Sequence, residues 1–115
     1  METFIMRKKV LAIDIDGTIC VEEPQLRATL SDPKPGAVES INKLHKAGYV
    51  IHLYSTRHSL QWEPTVKWLR KHRIKYDWLI LGKTFADYYI DDKCIPFRNN
   101  WNDIAKVLLG KKSAG

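Results

Sequence analysis

Val10-Leu-Ala-Ile-Asp-Ile-Asp-Gly-Thr18 is the stretch on which the reading of this chain turns. Val10 to Ile13 is a continuous apolar run without polar alternation, the composition of a strand buried on both faces of a parallel sheet. The run stops on Asp14, and Asp16 follows two positions later. In strand geometry residues two apart share a face, so the two carboxylates point the same way, and Gly17 lets the backbone turn tightly beside them. Like charges held so close require a cation or a shared proton.

Working outward, Pro35 suits a first helical turn, and Val38, Ile41 and Leu44 recur at helical spacing until Gly48 stops the helix. Tyr49 to Tyr54 reads as a second strand, followed by the polar loop Ser55-Thr-Arg-His-Ser59. A second helix is expected from Glu63-Pro64, with Val66 and Leu69 turned inward and a basic outer face that runs from Lys67 to Lys75. Trp78 to Gly82 is expected as a third strand and Tyr88 to Asp91 as a fourth, with a last helix from Asn102, its cap, to Leu109. Strands alternating with helices predict an α/β domain with a parallel sheet and helices on its faces. In such sheets the ligand crevice lies outside the carboxyl ends of the strands. Asp14, Asp16, Ser55, Asp91 and Asp92 are thereby expected at one rim, with Lys83 in the loop between.

A chain of 115 residues holds one domain, expected over 1–110 with a flexible tail at 111–115. The hydrophobic share of 44% and four Trp exclude a disordered chain, and no apolar run reaches the length of a membrane span. Basic residues Arg7 to Lys9 follow the first apolar stretch instead of preceding it, unlike a signal peptide. Cys20 and Cys94 have no ligand spacing and read as reduced thiols, so the expected location is the cytoplasm. The net charge of +6 suits an acidic partner, a phosphorylated small molecule or, less favoured, nucleic acid.

Two acidic pairs at strand ends, with Ser55 and Lys83 between them, are suited to a hard divalent ion, and Mg²⁺ fits a site of few carboxylates completed by water and phosphate oxygens. Asp14-Ile-Asp-Gly-Thr18 resembles the first signature of the haloacid dehalogenase (HAD) superfamily of aspartate-nucleophile phosphohydrolases. Ser55 at the end of a hydrophobic strand resembles the second, Lys83 the third and Asp91-Asp92 the fourth, in the same order along the chain. Thr56, the neighbour of Ser55, is the alternative second-motif residue. Leu81-Gly-Lys-Thr84 followed by Ala86 to Lys93 is similar to small capless phosphatases of capsule or surface-polysaccharide biosynthesis, which carry Pro where this chain has Thr84.

The resemblance implies a HAD-like, Rossmann-like three-layer sandwich with helices on both faces of a short parallel sheet. It implies a Mg²⁺-dependent phosphomonoesterase in which Asp14 is the nucleophile and Asp16 the general acid and base. The metal would be held by Asp14, Asp16 through its carbonyl, and Asp91 with Asp92. Ile15, Gly17, Thr18, Ser55, Thr56, Arg57 and Lys83 would bind phosphate or substrate. The short spacings from Asp16 to Pro35 and from Ser55 to Lys83 leave no room for a cap domain. The expected substrate is a sugar phosphate or similar metabolite, with nucleotides or phosphorylated nucleic-acid ends as the alternative. A non-catalytic phospholigand-binding module is the reading of another class. An open crevice and exposed Trp make a homo-oligomer a further expectation.

Overall fold

The computed structural model describes residues 8–21 and 31–114, with side chains described as far as 111. Strands β1 (Val10–Asp14), β2 (Val50–Ser55) and β3 (Trp78–Leu81) alternate with helices α1 (Ala37–Lys46) and α2 (Trp62–Lys71), and α3 (Trp101–Ala114) closes the chain. The sheet order is β1-β2-β3, parallel throughout, with Ile13 beside Leu53 and Leu53 beside Leu79. One row of side chains, Ile13, Ile51, Leu53 and Leu79, enters the core, where it meets Ile41 and Leu44 of α1, Trp68 and Leu69 of α2, and Trp101 and Leu108 of α3. Each fully buried Leu or Ile contributes about 1.5–3 kcal/mol of transfer free energy, enough to fix which face of each helix turns inward. Among the described residues no helix is long and apolar enough to cross a membrane.

Both α1 and α2 end in the same hydrogen-bonded cap, in which the two residues beyond the last turn donate back to carbonyls of that turn. After α1, Gly48 donates to His45 and Tyr49 to Leu44, with Gly48 at a φ of 103°, where a residue without Cβ carries no penalty. After α2, Arg73 donates to Arg70 and Ile74 to Leu69, but the left-handed position is held by Arg73 itself, at a φ of 56°. Helix α3 is tied to the rest by Tyr49 Oη donating to Leu108 O (2.9 Å), Ser40 Oγ to Trp101 O (3.2 Å) and Trp101 Nε1 to Thr18 O (2.9 Å).

The α/β class and the short parallel sheet are as the sequence predicts, and four details are not. Strand β1 buries one face only: Val10 is half exposed and Ala12 exposed. With Trp78 and Ile80 of β3, they lie on a second sheet face that contributes nothing to the core. The helical layer expected on that face is absent among the described residues, because the buried sides of all three helices belong to the same cluster as Ile13 and Leu53. The fourth strand, expected at Tyr88–Asp91, does not form; no strand edge pairs with it, and Tyr88 and Ile90 are exposed. Local bonds replace a ladder there, Tyr89 Oη donating to Thr84 O and Lys93 N to Asp91 Oδ1. Finally, Asn102 is inside α3 instead of capping it, and the helix continues past Leu109 to Ala114, through nearly all of the expected tail.

Candidate active site

Parallel strands deliver their carboxyl ends to one rim, and the residues that follow β1, β2 and β3 meet there. Past Asp14 the chain folds back at once: Thr18, Ile19 and Cys20 all donate to the carbonyl of Ile15, and Gly17, at a φ of 88°, donates to Cys20 O. Beside this turn, Ser55 is fully buried, its hydroxyl directed inward by the strand alternation. Ser55 Oγ donates to Asp16 Oδ2 at 2.8 Å and accepts from the backbone N–H of Arg57 at 3.1 Å. The Arg57 guanidinium completes the cluster: Nη2 donates to Asp16 Oδ1 at 2.9 Å, and Nε lies 3.0 Å and 3.2 Å from Oδ2 and Oδ1. The side chains of this pair are only 8% and 13% exposed, so water screens it little. Thr56, by contrast, is exposed.

The loop after β3 is fastened to the loop after β2. Gly82 N donates to Arg57 O at 2.9 Å and Lys83 N to Ser55 O at 2.8 Å, which brings Lys83 to the same rim. Its ammonium lies 4.1 Å from the ring centroid of Tyr54 and 3.9 Å from that of Tyr89. Two aromatic faces therefore hold the cation in place. Burial pushes the Tyr54 hydroxyl above its usual value, and the negative charges of Asp14 and Asp91 add to the shift. Both acids thus lie within electrostatic reach of one ring.

The structure therefore brings Asp16, Ser55, Arg57 and Lys83 together on the rim that Asp14 ends. Asp91 and Asp92 are exposed, in the loop that replaces the expected strand. Among the described residues no three His, Cys, Asp or Glu side chains are grouped so as to hold a metal, so the convergence of four carboxylates is not assembled. The N–H groups of Ile15, Gly17 and Thr18, expected to bind phosphoryl oxygens, already donate to Tyr54 O, Cys20 O and Ile15 O. His58 caps the short helical turn Ser59–Gln61, its Nδ1 accepting from Leu60 N.

Two contributors escape a reading of the sequence. Tyr89 holds Lys83 across a loop, and Trp101 anchors the turn after Asp14 from 83 residues away. Tyr54, directly before Ser55 on the other side of the strand, was the one legible signal. Cys20, beneath the turn, is fully buried with Sγ 3.7 Å from Ile15 O. Burial, reinforced by the charge of Asp16, pushes its thiol up to about 12, so it is protonated and unreactive at neutral pH.

A parallel α/β domain with an Asp-X-Asp turn after its first strand and Ser, Arg and Lys gathered at the strand ends has the HAD-like phosphatase fold. Among solved structures, a protein from Vibrio cholerae superimposes with a TM-score of 0.68 at 22% identity, covering 90% of this chain and 98% of that one. The D,D-heptose 1,7-bisphosphate phosphatase of B. bronchiseptica, complexed with magnesium and phosphate, aligns at a TM-score of 0.52 and 17% identity, over 87% of this chain and 63% of that one. A chain of the Pnkp1/Rnl/Hen1 complex is 28% identical with a TM-score of 0.58, over 74% of this chain, which spans only 31% of that larger chain. No curated protein is a significant match. The family model described as the LNS2 domain of PITM 1-3 matches residues 11–107, and the chain belongs to that family.

Proposed function

We propose that this domain is a Mg²⁺-dependent phosphohydrolase that cleaves a phosphomonoester through an aspartyl-phosphate on Asp14. The observation that carries the reading is the Asp16–Ser55–Arg57 cluster, placed beside Asp14 at the carboxyl ends of β1 and β2. In the first half-reaction an Asp14 oxygen bonds to phosphorus as the ester P–O bond breaks, and Asp16 passes a proton to the leaving oxygen. In the second, Asp16 takes a proton from the water that attacks phosphorus and frees Asp14.

Every hydrogen bond described at the Asp16 carboxylate is one it accepts, from Ser55 and Arg57. To act as an acid it must exchange an accepted bond for a proton. A substrate phosphate offers the guanidinium another bidentate partner, so binding would draw Arg57 from Asp16 to the phosphoryl oxygens. Lys83, steadied between Tyr54 and Tyr89, would neutralise charge developing there.

The donor set suits Mg²⁺, which needs one or two carboxylates completed by water and substrate oxygens. Asp14, the carbonyl of Asp16 and one of Asp91 or Asp92 would hold it, and when bound it would offset the repulsion between nucleophile and phosphate. The substrate we favour is a sugar phosphate or related metabolite, in a cytoplasmic setting that agrees with free thiols at Cys20 and Cys94. The 28% identity to a chain of the Pnkp1/Rnl/Hen1 complex, elsewhere described as an RNA repair complex, favours phosphorylated nucleic-acid ends as the second reading.

Hydrolysis of an aryl phosphate with and without Mg²⁺ tests the proposal. Asp14→Asn is expected to abolish turnover and Ser55→Ala to reduce it by roughly 10²-fold to 10³-fold. No Mg²⁺-dependent turnover, or equal turnover in Asp14→Asn, would leave the non-catalytic phospholigand module as the reading. A panel of sugar phosphates, nucleotides and 3′- or 5′-phosphorylated oligonucleotides then separates the two substrate classes.

A further inference from the structure

Away from the rim, α2 and the loop that follows it, with Asn42 of α1, line an open groove of about 640 Å³, with Arg70, Arg73 and Lys75 exposed along it and Val66, Ile74 and Tyr76 at least partly buried. It lies at the amino-terminal ends of the strands, since α2 runs down from the rim and Trp78 starts β3 just beyond Tyr76. At about 3.3 Å per residue, the length of β2 puts it roughly 15–20 Å from the catalytic cluster.

Three observations single out this groove. The three cations are exposed, and none has an acidic partner among the described residues, whereas Lys67 of α2 pairs with Glu63. Next, the turn that carries Arg73 and Lys75 is fastened to α1. Asn42 of α1 donates through Nδ2 to Arg73 O (3.0 Å) and accepts through Oδ1 from Lys75 N (2.8 Å), gripping the backbone at both basic residues. Finally, the α2 cap puts Arg at the left-handed position where the otherwise identical α1 cap has Gly48. A side chain there carries a conformational penalty that Gly avoids. The cap needs the left-handed backbone but not a side chain on it, and the Arg found there lines the groove.

We propose that this groove binds the sugar-phosphate backbone of a single-stranded nucleic acid. Three cations without acidic partners along one groove can each meet a phosphate of a backbone, and the half-buried Tyr76 in its lining can offer a base a stacking surface. A compact anion would need only one or two of these groups, and the apolar lining would be wasted on it. The site is separate from the phosphohydrolase rim and stands whatever chemistry the rim performs.

The test is fluorescence anisotropy of a labelled single-stranded oligoribonucleotide across a salt series, with the wild type, Arg73→Gly, and a triple variant Arg70→Gln, Arg73→Gln, Lys75→Gln. Wild-type binding is expected to weaken with salt on a log–log slope of magnitude roughly 2, about 0.7 per cation, with Arg73→Gly losing about 0.7 of it and the triple variant nearly all. Arg73→Gly is also expected to raise Tm while it weakens binding, which separates lost contact from lost folding. Aryl-phosphate turnover is the control and is expected to be equal in all three proteins. The proposal is overturned if the wild type does not bind the oligonucleotide at low salt, if the variants bind as the wild type does, or if Arg73→Gly lowers Tm. Binding of anionic vesicles without binding of the oligonucleotide overturns it equally.

Discussion

Arg57→Met removes one partner of the most enclosed ion pair in the described structure and leaves Asp16 with Ser55 alone. Hydrogen bonds to a charged group are worth about 1.5–3 kcal/mol each, and two guanidinium nitrogens donate to this carboxylate. Breaking a buried pair from one side costs about 3–5 kcal/mol. The lower end applies here, because the cluster faces the rim and water can reach an abandoned Asp16. A loss of about 3 kcal/mol corresponds to a fall in Tm of roughly 10 °C for a domain of this size. Urea unfolding of Arg57→Met, Asp16→Asn and the double variant separates the pair from its surroundings. The double variant is expected to be more stable than Arg57→Met, because it holds no uncompensated charge, and the coupling energy should be about 2 kcal/mol. A coupling below about 0.5 kcal/mol would show that the two side chains do not stabilise each other, and the account of a substrate-released Asp16 would fall with it.

Two further outcomes concern the thiols and the acid limb of stability. In the native protein a thiol reagent should modify Cys94, which is exposed, and spare Cys20, with both reacting in denaturant; rapid modification of both in the native state would contradict the enclosed turn. Asp77 accepts a hydrogen bond from Ile51 N at 2.8 Å, and that bond, aided by His45, holds its carboxyl below the usual value of 3.8. A depressed folded value stabilises the ionised form, so the advantage of the wild type over Asp77→Asn should be complete well above pH 3.8 and fade as the pH falls through the folded value. A difference that stays constant down to pH 2 would count against this bond.

The rim was legible because its residues follow strands that the apolar runs mark plainly. Asp14, Ser55 and Lys83 each stand one or two residues past a β-branched or leucine-rich segment, and parallel topology then carries them to one end. The second sheet face was not legible. An unbroken apolar run such as Val10–Ile13 looks the same whether both faces are covered or one, and only the helices' packing decides. The stretch Tyr88-Tyr-Ile90 had strand composition, but a strand exists through its neighbours, and local bonds at Tyr89 and Asp91 took their place. Arg57 was expected at the substrate. In the structure it holds Asp16, a pairing set by how the loop after β2 folds, which spacing does not encode.

The bond from Trp101 Nε1 to Thr18 O has a consequence for the order in which the protein matures. The turn after Asp14 is written early in the chain, and β1 finds its partner strand once residue 55 has been made. The indole that secures the turn belongs to a helix that starts at residue 101. At synthesis rates of about 5–20 residues per second, several seconds separate the turn from its anchor. During that interval the sheet can form while the turn lacks its far support. The emerging chain would therefore acquire its sheet before the turn beside Asp14 is secured, with the last helix acting as the latch that fixes that turn.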